Sequence, residues 1–580
     1  MTNLYEYGDA IAAVLAGRTA ADLESRTLDF KQEVPDAREM GRSLAEAAVC
    51  FANAVGGTIV VGVDDKASGP VALVGTTTEP DRVRRLIHER TAPPMTLDVR
   101  VDERFGARLL VIVVPEGIEV HQDTQGRAYR RVDAQRCITM SAADQARLRD
   151  ERTGFDWSAQ ASERASADMS ALAIAAARAR LAALPDKRQD LARLSDRDLL
   201  RGLGVVDAGG GLLKAGEVLF CDPLAGASPT VLYQYRPTPG GEPAAVERIS
   251  SPLILAFQRV LELVDARRNT VPITLPDGQQ IHVADFPDLA VREAVANGVL
   301  HRDHRLAGPV LVDHSKTVLA VSSPGPLVAG VTPDNILTHP SKPRNLVLTA
   351  AFRVLGLAEE TGRGVDRMYR EMIRAGRDLP LIEDGIDGVR VSLVGGSQNT
   401  RIARYVAQLP EDERSDTDTM LVLFTLCTRR TTNAQALAPL LQKGGEEAEA
   451  VLRRLSADPP GILEPTRGTL RRAHPAYRLR GDALRALGPA VRYQRRTVDD
   501  IDRKVIDHVN EYSRITNKTI RNIFEVDVYQ ATGIIKDLVD REVLVKTSTQ
   551  QRGPNIEYGP GRKFPGVPAR SRRQAGRGQS

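Results

Sequence analysis

The stretch that most restricts the fold is residues 288–304, Asp-Leu-Ala-Val-Arg-Glu-Ala-Val-Ala-Asn-Gly-Val-Leu-His-Arg-Asp-His. Its apolar residues recur at helical spacing, so Leu289, Val291, Ala294, Val295 and Val299 supply a face to bury. Asp288 and Arg292 fall in the first turn, where only the aspartate complements the positive end of the helix dipole. Glu293 and Asn297 are four residues apart and share a face. A carboxylate and an amide oxygen on one face can hold Mg²⁺ directly and through its waters. The same spacing also occurs on ordinary solvated helices, so the sequence downstream has to decide.

Downstream, Val318–Val321 is a short apolar run stopped by Ser322-Ser323-Pro324-Gly325. Pro343-Arg344-Asn345 follows, then Glu359-Glu360-Thr361-Gly362-Arg363-Gly364-Val365. In this order the pieces resemble the divergent GHKL (Bergerat-type) ATP-binding domain found beside Schlafen-type domains, over roughly residues 200–380. The resemblance implies a helix–sheet sandwich that binds ATP with Mg²⁺. It makes Glu293 the general base and Asn297 the Mg²⁺ ligand, with Gly325, Gly362, Arg363 and Gly364 around the nucleotide. Glycine lets backbone N–H groups approach phosphate oxygens with no Cβ in the way. The chain departs from the family at the adenine-contacting aspartate, where it has Ser322 and Ser323.

A chain of 580 residues is too long for one core, so at least about three or four domains are expected. Apolar residues at 42% and charged residues at 27% are ordinary for a soluble globular protein. A net charge of +4 neither demands nor excludes nucleic acid, but residues 561–580 carry Arg562, Lys563, Arg570, Arg572, Arg573 and Arg577 with no acid. That basic tail reads as disordered and able to touch phosphates, or as simply solvated. Cys50, Cys137, Cys221 and Cys427 have neither zinc-finger spacing nor the pattern of a disulfide framework, and core packing is their default. No signal peptide and no run of about 18 apolar residues is present, so no membrane partner and a cytoplasmic location are expected.

The first 22 residues read as a helix. Leu28 and Phe30 alternate with Asp29 and Lys31 as on a half-buried strand, and Ala37–Asn53 reads as a helix ended by Asn53 and Gly56-Gly57. Thr58–Val63 reads as a buried strand, and Leu97–Val101 with Arg108–Val114 as a hairpin. Tyr129-Arg130-Arg131-Val132 is a further strand with basic side chains. Glu24-Ser25, Asp29-Phe30-Lys31, Phe51–Gly57, Gly62–Asp65 and Tyr129-x-Arg131 together resemble the AlbA-like domain of the Schlafen family. This implies association with RNA or DNA and, in some members, nuclease activity. Glu24, Asp29 and Asp65 match acidic active-site positions of the Schlafen nucleases and would hold Mg²⁺ or Mn²⁺, with Asp64 a rival third ligand. The middle position is Asp where the nucleases carry Glu. Lys31 points the same way as Asp29 and would hold a phosphate, with Arg130 and Arg131 also facing nucleic acid. Glu24 reaches this face only if the chain bends near Ser25.

The expected domain order is an α+β multidomain chain: 1–140 AlbA-like, 141–200 a helical connector, 201–395 GHKL-like, 415–490 and 497–560 winged-helix-like, and 561–580 the tail. Leu212–Phe220 reads as a strand of the second domain, and the polar run at 395–415 marks a boundary. Three helical patterns followed by two short strands occur twice after residue 415, which resembles winged helices. In the second copy Val528–Arg541 would be the recognition helix, with Tyr529 and Gln530 at base edges and Lys518 and Lys536 at phosphates.

These resemblances imply an ATP-binding, nucleic-acid-binding effector whose first domain is a metal-dependent nuclease, an architecture suited to anti-phage defence. Two alternatives stand beside it: a ligand-sensing transcription regulator acting through its winged helices, and a GHKL-type ATPase that remodels a partner. Self-association into a homo-oligomer is compatible with all three.

Overall fold

The computed structural model describes residues 6–103, 105–132, 136–358, 362–385, 387–395, 399–466, 468–472, 474–491, 502, 504–506, 508–510, 513–524, 528–548 and 556–564. Glu359, Glu360, Thr361, Gly396, Ser397, Gln398, residues 565–580 of the tail, and the side chains of Tyr529 and Gln530 lie outside the described residues. The chain divides into two compact units. One is Met1–Arg404 with Arg414–Leu421 and Ala438–Glu447, and the other is Tyr405–Glu413 with Val422–Leu437 and Ala448–Ser580. Among the described residues no helix is long and apolar enough to cross a membrane.

The first unit holds two sheets. The amino-terminal one has four strands in the order Leu28–Lys31, Gly57–Val61, Leu109–Val114, Asp98–Asp102. Its first pair is parallel, Asp29 opposite Ile59, and the helix Ala37–Ala52 makes the crossover that parallel strands need. The all-buried run Gly57–Val61 sits at the centre because it has apolar cover on both faces. Leu44, Ala48 and Phe51 of the crossover helix cover one face, and Ile11 and Val14 of Glu6–Leu15 cover the other. The left-handed turn expected at the end of the crossover helix is taken by Gly56, at φ +79. Asn53 is fully buried and donates from Nδ2 to the carbonyls of His121 (2.7 Å) and Tyr129 (3.0 Å).

A six-stranded mixed sheet follows, ordered Ala245–Ile249, Val231–Arg236, Val310–Ser315, Val318–Pro324, Gly388–Val394, Leu381–Asp384. Helices Leu253–Asp265, Asp288–Leu300, Leu346–Val354 and Gly364–Arg374 belong to the same apolar core, giving the expected helix–sheet sandwich. The helix at 288 buries Val291, Ala294, Val295 and Val299 as its spacing predicts and ends at Leu300. Leu289 departs from that reading. It is 41% exposed, and Ala290 and Ala296 take places in the core.

Two further expectations need correction. Lys214–Phe220 is a helix, not a strand. Lys214 and Glu217 pair three residues apart (2.7 Å), a spacing that faces one side of a helix but opposite sides of a strand. Cys50 and Cys137 are joined by a disulfide, 87 residues apart in sequence, because the strand Cys137–Thr139 lies over the end of the crossover helix. Cys221 and Cys427 form no disulfide among the described residues and are buried, as core packing predicts.

The second unit contains the helix Gly445–Ser456 from Ala448 onward, and the paired strands Leu463–Pro465 and Tyr477–Leu479. It then has the helices Asn517–Phe524 and Val528–Asp540, beside a three-stranded sheet ordered Ile515–Thr516, Glu557–Pro560, Leu544–Lys546. Val505, Ile520, Ala531, Ile535, Leu538 and Leu544 form its apolar centre.

Candidate functional site

The helix Asp288–Leu300 forms one wall of a cleft enclosing about 1200 Å³ of non-atom space, open mouth included. Glu293, Asn297, Gly325, Gly362 and Gly364 all line it, though they span more than 70 residues of sequence. Arg363 does not line the cleft and is the exposed residue before the helix Gly364–Arg374.

Glu293 is 4% exposed and accepts a hydrogen bond from Arg367 of the facing helix at 3.0 Å. The two helices approach so closely that a Cβ on Gly364 would stand 2.5 Å from Glu293 Oε2 and 3.8 Å from Asn297 Nδ2. A side chain there would have to displace the Glu293 carboxylate, and the start of this helix borders the cleft. Gly325 ends the strand Val318–Pro324 at φ +95, a conformation glycine adopts without strain.

Ser322 and Ser323, which replace the expected aspartate, have separate places. Ser323 Oγ donates to the Gly298 carbonyl at 2.7 Å and lines the cleft, while Ser322 Oγ accepts from Arg390 at 3.3 Å. The rest of that end is apolar, with Val321, Ile382, Val389 and Val391. An aromatic ring would find dispersion contacts there and few hydrogen-bond partners.

The structure adds cleft residues that sequence patterns do not single out: Lys342, Arg353, Thr349, His301 and His339. Lys342 Nζ donates to the Ala329 carbonyl at 2.6 Å. The Thr349 hydroxyl oxygen is buried and lacks a hydrogen-bond partner, a polar atom left for a ligand. Burial, aided by Arg344 and Arg353, pushes the His301 imidazole down to about 4, so it stays neutral at pH 7. The sequence signal for Lys342, His339, Thr349 and Arg353 is their closeness to Pro343-Arg344-Asn345, and His301 falls in the 288–304 stretch. Asn345 itself holds the helix end by donating to the carbonyls of Leu300 (2.8 Å) and Arg302 (2.9 Å).

A second candidate site lies at the edge of the amino-terminal sheet. The required bend is present. Ser25 N–H donates to the Leu28 carbonyl (3.0 Å), and Thr27 N–H to Ser25 Oγ (3.1 Å). The chain folds back until Phe30 N–H donates to Glu24 Oε1 at 3.4 Å. Burial and the neighbouring Asp29 carboxylate push Glu24 up to about 7. Asp29 is buried between two cations, Lys31 at 2.8 Å and Arg131 at 3.5 Å. Arg131 also donates to the Ser25 carbonyl at 3.1 Å and lies over the Phe51 ring, so it is largely buried. Arg130 is half-buried on the same strand.

The proposed metal triad is not assembled. Among the described residues no three His, Cys, Asp or Glu side chains gather to hold a metal. Glu24 and Asp29 meet, but Asp29 already faces Lys31 and Arg131, and Asp65 lies in the turn beyond the strand, where its carbonyl accepts from Ala21 (2.9 Å). The residues of this turn do not fit a three-carboxylate metal centre, and no metal-dependent step follows from them.

Lys518 and Lys536 lie on the helices Asn517–Phe524 and Val528–Asp540 of the second unit.

Comparison with known proteins agrees with both sites at the level of domains. Residues 24–139 match the family model described as "Schlafen, AlbA_2". Residues 308–393 match the model described as "Putative ATP-dependent DNA helicase recG C-terminal". The second match includes the three cleft glycines and begins after Glu293 and Asn297. The crystal structure of the DIP2311 protein from Corynebacterium diphtheriae is similar over 84% of this chain and 99% of that one, with 27% identity and a TM-score of 0.50. The N-terminal domain of a "Putative ATP-dependent DNA Helicase RecG-related Protein" from Nitrosomonas europaea is 27% identical over 19% of this chain and 71% of its own, with a TM-score of 0.15. No curated protein matches the chain.

Proposed function

We propose that the chain is an ATP-binding, nucleic-acid-associated effector, with nucleotide held in the cleft and nucleic acid on the amino-terminal domain. The observation that carries this reading is the convergence of Glu293, Asn297, Gly325, Gly362 and Gly364 on one cavity. The Thr349 hydroxyl, buried without a hydrogen-bond partner, adds a polar atom for a ligand. Val321, Val389 and Val391 would hold the base, and the start of the helix at Gly364, with Lys342 and Arg353, would meet the phosphates. Asn297 offers the amide oxygen for Mg²⁺, which when bound supplies charge neutralisation to the phosphates. Glu293, fixed by Arg367, orients an attacking water if turnover occurs.

The test is ATP titration by calorimetry with and without Mg²⁺. Asn297→Ala is expected to weaken Mg²⁺-ATP at least about tenfold and to affect metal-free nucleotide less. Glu293→Ala keeps binding and loses any turnover. Equal Mg²⁺-ATP affinity in wild type and Asn297→Ala rules the site out.

In the same reading, phosphodiester cleavage would belong to the amino-terminal turn, with Glu24 and Asp29 as the acidic groups and Lys31 as the phosphate contact. Labelled RNA and single-stranded DNA, incubated with and without a divalent cation, test this. Cleavage that survives Asp29→Ala in a folded protein rejects it. A second reading, a regulator that binds duplex DNA, draws on the helix–helix–sheet order at 517–560, which has the elements of a winged helix.

A further inference from the structure

The cleft and the acidic turn belong to one compact unit, and hydrogen bonds joined by short stretches of chain connect them. The loop 326–344 is a wall of the cleft through Leu327, Val328 and Lys342. The same loop is fastened to the helix Ala142–Thr153 of the amino-terminal region. Glu151 accepts there with both carboxylate oxygens, from Ala329 N–H at 2.8 Å and from Arg344 at 3.0 Å. This pair is almost fully buried, and Arg344 also donates to the carbonyls of His301 (2.8 Å) and Pro326 (2.7 Å). Two ion pairs flank it, Arg147 with Asp303 (3.4 Å) and Asp150 with Arg305.

The next residue of the helix faces the other way. Arg152 donates to the carbonyls of Ala52 (2.6 Å) and Glu119 and to Asn53 Oδ1 (3.4 Å). Asn53 in turn holds the Tyr129 carbonyl, at the start of the strand whose Arg131 meets Asp29 and the Ser25 carbonyl. Arg26, inside the acidic turn, makes a second crossing to Asp334 of the loop at 3.6 Å.

We infer that occupancy of the cleft is transmitted to the Glu24–Asp29 turn through Glu151 and Arg152. Because one loop is both cleft wall and partner of Glu151, it cannot change position for a ligand without changing that buried pair. Breaking a buried pair is costly, since losing one partner strands the other. A ligand that favours one loop position therefore biases the position of Arg152, Asn53 and Arg131. Coupling is reciprocal, so nucleic acid on the amino-terminal domain alters nucleotide affinity by the same factor, of the order of 5–150-fold for typical coupled sites.

This inference rests on the nucleotide reading for its probe. Amide hydrogen exchange is measured on the full chain with and without saturating Mg²⁺-ATP. Protection is expected at 293–300 and 326–344, together with changed exchange at 25–31 and 127–131. Glu151→Gln and, independently, Arg152→Lys keep the cleft protection and lose the remote response. Protection of the cleft with no change at 25–31 and 127–131, or a remote response kept in both variants, overturns the coupling alone. No protection anywhere overturns the nucleotide reading and the coupling with it.

Discussion

Glu24 ionises against two opponents, its own burial and the Asp29 carboxylate, and the result is a folded-state value of about 7 against 4.5 for the free side chain. The sign of the consequence is fixed. Between about pH 4.5 and 7 the folded chain keeps a proton that the unfolded chain has released, so stability falls as pH rises through this window. Above about 7 the group is ionised in both states and its unfavourable contribution is complete. Glu24→Gln is therefore expected to raise stability at pH 8 and to flatten the pH dependence between 4.5 and 7, measured by denaturant unfolding. Because Glu24 is only half-buried, solvent screening keeps the effect modest. A variant that unfolds with the wild-type pH profile shows that Glu24 titrates normally. Gly364 is the opposite kind of residue. It contributes no chemistry, and its role is the space that Glu293 and Asn297 occupy.

Between elements, the two-stranded ribbon Tyr129–Arg131 and Cys137–Thr139 decides where Arg131 stands. Arg131 is paired in register with Cys137, whose disulfide partner Cys50 precedes the Phe51 that Arg131 covers. Removing a cross-link that closes a long loop costs about 2–5 kcal/mol, chiefly through the unfolded chain. Cys137→Ser is expected to lower stability by about that amount under oxidising conditions and to match the reduced wild type. Equal unfolding midpoints for the oxidised wild type and the variant show that the disulfide does not contribute. None of this is legible in the sequence, because Cys50, Phe51, Arg131 and Cys137 meet only through tertiary placement. The helix Asp288–Leu300 is legible because its apolar spacing and its Glu-x-x-x-Asn spacing agree. The bend at Ser25 is legible as a requirement, since Glu24 and Asp29 cannot share a face on a straight strand. Lys214–Phe220 misleads because a short apolar run suits strand or helix alike, and only the Lys214–Glu217 pair separates them. Lys342, Arg353 and Thr349 enter the cleft from a loop and a helix whose positions no local pattern determines.

Across the whole molecule the net charge is only +4, yet six basic residues and no acid fall in 561–580. If the chain binds duplex DNA, this distribution predicts that the carboxyl terminus supplies much of the non-specific attraction, because each neutralised phosphate releases counterions. Each phosphate contact adds about 0.9 to the slope of log affinity against log salt. Deleting residues 565–580 from the full chain removes Arg570, Arg572, Arg573 and Arg577. The slope is then expected to fall by up to about 3.6, the value for four lost contacts. Sequence preference should not change, since phosphate contacts position a protein and base contacts specify. Lys536→Ala, on the helix Val528–Asp540, is expected to lower the slope by about 0.9 more if that helix lies along the duplex. Fluorescence anisotropy of a labelled duplex between 50 and about 200 mM salt measures both slopes. An unchanged slope on deleting the tail assigns it no phosphate contact. Absence of duplex binding at low salt in the full chain removes the regulator reading and leaves the helices and strands at 517–560 as a module for contacts with protein.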